Sequence, residues 1–315
     1  MEYKKKKVSV VLPVYNEEGI IDHLYERLSK MANQRSERYE FLFVNDGSMD
    51  GSLNKLLDIR KKDKRVNIID LSRNYGHHSA VFAGCSMADG DAVVLMDADM
   101  EDLPEDIPLF LEKWEEGYQV VYAVRKSRKV SFRMALFFYL FHKLNSIISN
   151  VPMQAAGIFC LMDRKVVEKI KLITEHNLYI PGLRSWIGFN QIGVAVNRGA
   201  RYDSKSRVSL WKLYKLAINN FTSFSDVILS IPLFIGIILC FLSLLVIVVI
   251  SILQLAYGIA PWGWSSLVSI VLAIGGLQFA FIGIIGEYIT RILIETKNRP
   301  SYIIKDKYCE SDENN

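Results

Sequence analysis

Between Val227 and Gly286 the chain runs for sixty consecutive residues without one Asp, Glu, Lys or Arg. Few folds can take up such a stretch. At about 1.5 Å of rise per helical residue it amounts to roughly 90 Å of helix, enough for two crossings of a ~30 Å hydrocarbon layer at about 20 residues each. Gly258, Pro261 and Gly263 interrupt the run near its middle and supply a turn. Lys205, Arg207, Lys212 and Lys215 precede the run, and Arg291, Lys297, Arg299, Lys305 and Lys307 follow it. The turn itself is uncharged, so the positive-inside rule assigns both ends to the cytoplasmic side. Trp211, Tyr214, Ile218 and Phe221 share a helical face just before the run, as an interfacial approach helix would. The expectation is a transmembrane hairpin over 227–295 with a cytoplasmic tail over 296–315; a buried soluble hairpin is the alternative.

The remainder alternates between apolar runs and helical periodicity. Val8, Val10, Val11 and Leu12 read as a buried strand ending at Pro13, and Tyr15 to Glu18 as a polar turn. Ile20, Ile21, Leu24, Leu28 and Met31 recur with the period of a helix. The unit repeats: Tyr39 to Val44 is a strand closed by Asn45, Asp46, Gly47 and Ser48, and Asp50 with Gly51 opens a helix carrying Leu53, Leu56, Leu57 and Ile59. Val66 to Leu71 ends at Ser72, Arg73 and Asn74, and the helix after Gly76 leads to Ala92–Met96, which ends abruptly in Asp97, Ala98, Asp99, Met100, Glu101 and Asp102. Such alternation predicts a mostly parallel sheet covered by helices on both faces. Ligands in these sheets gather beyond the carboxyl ends of the strands, where Glu17, Asp46 and the Asp97/Asp99 pair all fall. Crowded carboxylates repel and lose hydration, a cost that a hard divalent cation offsets. Each residue also has a plainer reading. Glu17 can favour a helix N-terminus, Asp46 with Gly47 can form an ordinary turn, and the acidic string can be a solvated loop before a helix capped near Asp102 with Pro104 in its first turn.

Composition narrows the classes. A net charge of +4 and the absence of zinc-finger or RNA-binding signatures argue against nucleic acid as a partner. Cys85, Cys160, Cys240 and Cys309 lack paired spacing, which points to a reduced compartment with neither a disulfide framework nor a zinc site. Val8 to Val14 is too short for a signal-peptide core and runs into polar residues, so no exported N-terminus is expected.

The strings VSVVLPVYNEEGI, FVNDGSMDGS, LSRNYGHHSAVFAG and GDAVVLMDADMEDLPE resemble the family 2 glycosyltransferases, and among them the polyprenyl-phosphate glycosyltransferases. The resemblance covers nearly the whole chain. It implies a GT-A-like nucleotide-sugar-binding α/β domain, joined by interfacial helices to the two-helix hairpin. It implies donor-binding residues over 1–130 and an acceptor-side segment over 131–226. Carried over by motif, Pro13, Tyr15, Glu17 and Asp46 border the base and ribose, while Asp97 and Asp99 hold the donor diphosphate through Mg2+ or Mn2+. Glu101 stands where many relatives have glutamine and can still ligate a metal. The implied reaction is inverting transfer from a nucleotide sugar, UDP- in preference to GDP-, to an undecaprenyl-type polyprenyl phosphate. The implied setting is the plasma or inner membrane, with multiple spans, both termini and the catalytic domain cytoplasmic, and a homo-oligomeric assembly.

Beyond the acidic loop, Val120 to Val124 reads as another strand, followed by Arg125, Lys126, Arg128, Lys129 and Arg133. This can be a solvated charge run, but a guanidinium matches a phosphate with two parallel donors, and the family has its acceptor phosphate near an arginine here; Arg125 is the expected residue. Phe132 to Ile148 is apolar enough to lie in a membrane interface or to be an ordinary buried helix. Gly157 to Asp163, GIFCLMD, matches a segment usually reading Gly-Asp-Phe-Arg-Leu-Met-Asp, so Ile158 and Cys160 replace an acid and an arginine. Gly182, Leu183, Trp186, Gly188 and Phe189 fit the family's tryptophan segment, and Arg198 and Arg201 are further candidates for phosphate contact or else surface charges. Two rivals stay open. A processive polysaccharide synthase normally carries Gln-x-x-Arg-Trp where this chain has LRSW, and a membrane scaffold with a decayed site is made thinkable by Ile158 and Cys160.

Overall fold

Valine-rich runs closed by turn residues become the strands, as β-branching and the two-residue side-chain period require. The computed structural model describes residues 6–125, 157–175, 178–196, 252, 256 and 264–309. The chain divides into two units, Met1–Leu213 with Pro300–Asn315, and Tyr214–Arg299. In the first unit the order is β1 (Lys7–Val14), α1 (Ile21–Asn33), β2 (Arg38–Asn45), α2 (Ser52–Lys62), β3 (Val66–Leu71), α3 (His77–Met87) and β4 (Ala92–Leu95). A 3-10 turn, Pro104–Asp106, then leads into α4 (Ile107–Glu115), β5 (Val120–Arg125), β6 (Cys160–Asp163), α5 (Arg164–Ile170), α6 (Ile180–Trp186), β7 (Gln191–Val196) and β8 (Ile304–Tyr308).

The eight strands form one sheet in the order β7-β5-β6-β4-β1-β2-β3-β8. β1 pairs in parallel with β2 and β4, β2 with β3, and β5 with β7; β6 is antiparallel to β4 and β5, and β8 to β3. This is the expected GT-A-like α/β arrangement with a mostly parallel sheet. Alternate residues go to opposite faces. Val10 and Leu12 of β1, Phe41 and Phe43 of β2 and Val94 of β4 pack with Leu24 and Leu28 of α1, Leu56 of α2 and Phe110 of α4. Val11, Leu42, Val44 and Leu95 pack instead with Ala80 and Val81 of α3, Val167 of α5 and Leu183 of α6. Helices thus cover both faces, which is why the central strands read as continuous apolar runs. α3 lies so close to the sheet that a Cβ on Gly84 would collide with the Val11 and Val44 side chains.

Several expectations need adjustment. β1 continues one residue past Pro13 to Val14, because Val14 still pairs with Asn45 of β2. Asp102 does not cap the following helix. Leu103 precedes the 3-10 turn without a side-chain cap, and Asp102 is itself buried. Residues 304–308, within the expected tail, form the edge strand β8, with Ile69 opposite Lys307. In the second unit α7 spans Trp264–Thr296 and first meets a charge at Glu287. Among the described residues no helix is long and apolar enough to cross a membrane. Most of the first half of the uncharged run, the 132–148 segment and the approach helix over 211–221 lie outside the described residues, so the expected hairpin draws no support from them.

Candidate active site

Four strand ends build the site. After β1 the chain turns at Asn16, held in the left-handed region at φ 55, which asparagine tolerates better than most residues. The Asn16 amide donates to Ser48 Oγ at 3.0 Å, and its Oδ1 accepts from the Met49 amide at 2.8 Å. The Glu17 amide donates to Ser52 Oγ at 2.9 Å, and Glu18 Oε2 accepts from the Gly51 amide at 2.9 Å. The turn after β1 is therefore tied to the loop after β2 by both strings of polar residues, which explains why Asn, Ser and Asp crowd there.

The loop after β2 is tied in turn to the one after β3. Asp46, 3% exposed, accepts from the amides of Tyr75 at 2.7 Å and Gly76 at 3.0 Å. Burial pushes its carboxyl pKa up, against the lowering effect of the two amides. Gly47, at φ 66, lets this loop pass within 2.5 Å of the Arg73 carbonyl carbon as measured from the position a Cβ would take, so no side chain fits there. Gly76, at φ 96, redirects the chain into α3 and presents His77 as its first residue.

β4 delivers the acids. Asp97 Oδ1 lies 3.1 Å from His77 Nε2. Burial alone would lower the imidazole pKa, but the hydrogen bond to Asp97 and the charges of Asp97, Asp46 and Asp99 raise it above its ordinary value. The next residue, His78, behaves oppositely: burial and the neighbouring His77 push its pKa down to about 4. Asp99 Oδ1 accepts the Glu101 amide at 3.0 Å across Met100, which has a left-handed φ of 65 and a buried side chain. That conformation is uncommon for a non-glycine residue and is held here by the closed turn and the core contact.

A cavity of about 570 Å3 opens among these ends, and Pro13, Tyr15, Glu17, Asp46, Asp97 and Asp99 all line it. Six sequence-predicted residues are thus brought together. Glu101 is half-buried in the same turn but is not one of the lining residues. The Arg125 backbone ends β5, whereas its side chain and the whole of Arg198 and Arg201 lie outside the described residues. Sequence reasoning missed His77, whose signal was its place directly after the β3 strand-end loop. It also missed Arg184, which is 1% exposed on α6 and had no signal in the local pattern. Ile158 and Cys160, the two departures from the motif, are buried in the α3-side core.

The sequence profile of glycosyl transferase family 2 matches residues 9–171. An uncharacterized glycosyltransferase of Bacillus subtilis, YkcC, is 42% identical over 305 residues, covering 95% of this chain and 94% of its own. The SfII prophage-derived bactoprenol glucosyl transferase of Shigella flexneri is 38% identical over 306 residues, 96% of this chain and 98% of its own. Among solved structures, the mannosyltransferase PcManGT of Pyrobaculum calidifontis, in complex with GDP-Man and Mn2+, is 17% identical with a TM-score of 0.48, over 65% of this chain and 59% of that one.

Proposed function

Since the chain belongs to glycosyl transferase family 2 and is a glycosyltransferase, we propose that it moves a sugar from a nucleotide sugar to a polyprenyl phosphate of the bactoprenol type, with inversion at the anomeric carbon. The observation that carries this reading is the gathering of Asp46, Asp97 and Asp99 around one cavity at the carboxyl edge of the sheet. The relative named as a bactoprenol glucosyl transferase, aligned along nearly all of both chains, supports the lipid acceptor.

Pro13, Tyr15 and Glu17 border the base and ribose of the donor. Asp46 shapes that wall by holding the Tyr75–Gly76 turn through two amides. Asp97, Asp99 and Glu101 are the oxygen donors for Mg2+ or Mn2+. No group of three His, Cys, Asp or Glu side chains suited to a metal occurs among the described residues. Such ions, however, are commonly held by one or two carboxylates together with substrate phosphates, and Asp97 and Asp99 line the cavity in that role. When bound, the ion would neutralise charge developing on the departing diphosphate. The acceptor phosphate is already anionic at neutral pH, so it needs no strong general base; the apolar Ile158 at the motif's acid position is compatible with that. Arg125, Arg198 and Arg201 orient the attacking phosphate, and a single displacement inverts the sugar carbon.

The lipid acceptor is met at a membrane. The uncharged run from Val227 to Gly286, with basic residues on both sides of it, supports a two-helix hairpin with cytoplasmic ends and a cytoplasmic catalytic domain. Trp186, 70% exposed on α6, suits an interfacial anchor. A UDP-sugar donor and a homo-oligomer complete the reading. The test is a panel of radiolabelled UDP- and GDP-sugars offered with polyprenyl phosphate to the full chain in detergent. Label entering the lipid phase from one donor is the expected result; label that stays in water for every donor, or a growing polysaccharide, would overturn it.

A further inference from the structure

Arg184 is one of the largest fully buried side chains among the described residues. A guanidinium remains charged at any working pH, and a buried charge is retained only where its surroundings compensate for lost water. Its surroundings are specific. Nη1 points to the Gly157 carbonyl at 3.4 Å, and the guanidinium carbon lies 5.1 Å from the centre of the Tyr122 ring. The Cys160 thiol is also in reach. Burial raises its pKa, while the Arg184 charge and hydrogen bond lower it and the Asp102 charge raises it. One thiol therefore feels two buried, opposite charges, one from α6 and one from Asp102 at the end of the acidic turn, itself 4% exposed.

The topology makes this meeting point significant. Cys160 on β6 stands opposite Leu95 on β4, two residues before Asp97, and opposite Tyr122 on β5, three residues before Arg125. The Gly157–Cys160 segment thus runs beside the strand ends that lead to the acids and to the proposed phosphate-binding arginine. The resemblance found in the sequence has an arginine at the position of Cys160. An arginine there and Arg184 would compete for one buried volume, whereas a cysteine leaves it to Arg184.

We infer that Arg184 is the positioning residue of the acceptor side of the site: reaching in from α6, it holds the Gly157 end of the segment that leads into β6 beside Tyr122 of β5. This rests on the proposed glycosyltransfer reading.

The experiment compares four full-length proteins in detergent: wild type, Arg184→Leu, Cys160→Arg, and the double variant. Arg184→Leu is expected to lower kcat about 100-fold through misplacement of reacting groups, with the donor KM within about threefold. Cys160→Arg also loses activity, because two guanidinium groups then share one buried site. The double variant recovers to within about tenfold of wild type, a coupling that independent sites do not give. Full kcat in Arg184→Leu, or a folded double variant no better than the worse single one, would overturn the inference. Should Arg184→Leu fail to fold, Arg184→Lys keeps the charge without the planar fork and is expected to fold with an intermediate kcat; wild-type kcat there overturns the role. If wild type transfers nothing to polyprenyl phosphate, the proposed function falls, and the same four proteins compared in nucleotide-sugar hydrolysis still decide the part played by Arg184.

Discussion

The proposed donor side and the proposed acceptor side of this site are built by different means. On the donor side, the loops after β1, β2 and β3 are stitched by backbone amides to Asn16, Glu18, Asp46, Ser48 and Ser52, all within a few residues of a strand end. On the acceptor side, one buried arginine spans from α6 to Gly157, 27 positions away, and leans on Tyr122 of β5. The first construction leaves the cavity wall fixed by short polar motifs. The second depends on packing among elements distant in sequence. Donor affinity and acceptor use should therefore be separable by mutation.

The largest effect is expected at the acids. Asp99→Asn should reduce transfer about 100- to 1,000-fold, the scale of losing one transition-state electrostatic contact, with the melting temperature nearly unchanged because the side chain lines the cavity and not the core. Chelation of Mg2+ and Mn2+ should have the same result in wild type, and full activity in chelator would remove the metal from the account. Next comes the acceptor phosphate. Arg125→Ala should raise the acceptor KM about ten- to a hundred-fold, as loss of a charge-assisted contact implies, while nucleotide Kd stays put. A nucleotide affinity that falls equally would move Arg125 to the donor side.

Smaller effects separate site from scaffold. Gly84→Ala forces a methyl group between α3 and the Val11 and Val44 side chains, so urea denaturation should show a loss of about 1–3 kcal/mol with little change in the kcat of folded protein. Smallest is the Asp63 clamp, which accepts from Tyr25 at 2.9 Å and from Arg65 at 2.8 Å, away from the cavity. Burial raises the Asp63 pKa, but the Arg65 and Tyr25 bonds outweigh it and hold the value below normal. A depressed carboxylate pKa stabilises the fold above the unfolded value of about 4 and ceases to do so as pH falls through the folded value. Wild type and Asp63→Asn should thus differ by about 1 kcal/mol at pH 7 and converge in acid, with transfer unaffected.

What was legible in the sequence follows the same division. Strand ends on the donor side were readable because each couples an apolar run to Asn, Asp, Gly or Ser in the next few positions, and the structure brings Pro13, Tyr15, Glu17, Asp46, Asp97 and Asp99 to one cavity. β6 was not readable as a strand: Cys160–Asp163 is four residues long and antiparallel between two neighbours, so its identity comes from partners. β8 has three charged residues in five and is held by β3 alone. Arg184 sits in a seven-residue helix whose sequence gives no hint that its charge is buried. His77 was hidden for another reason, since nothing in its local pattern says that its ring will meet Asp97, which comes from the end of β4.

The most direct test of this division is calorimetric titration of UDP into the full chain with and without Mn2+, in wild type, Asp97→Asn, Asp99→Asn and Arg184→Leu. Mn2+ should tighten UDP binding in wild type and in Arg184→Leu but not in either aspartate variant. UDP binding indifferent to the metal and to both aspartates, or lost with Arg184, would contradict the division.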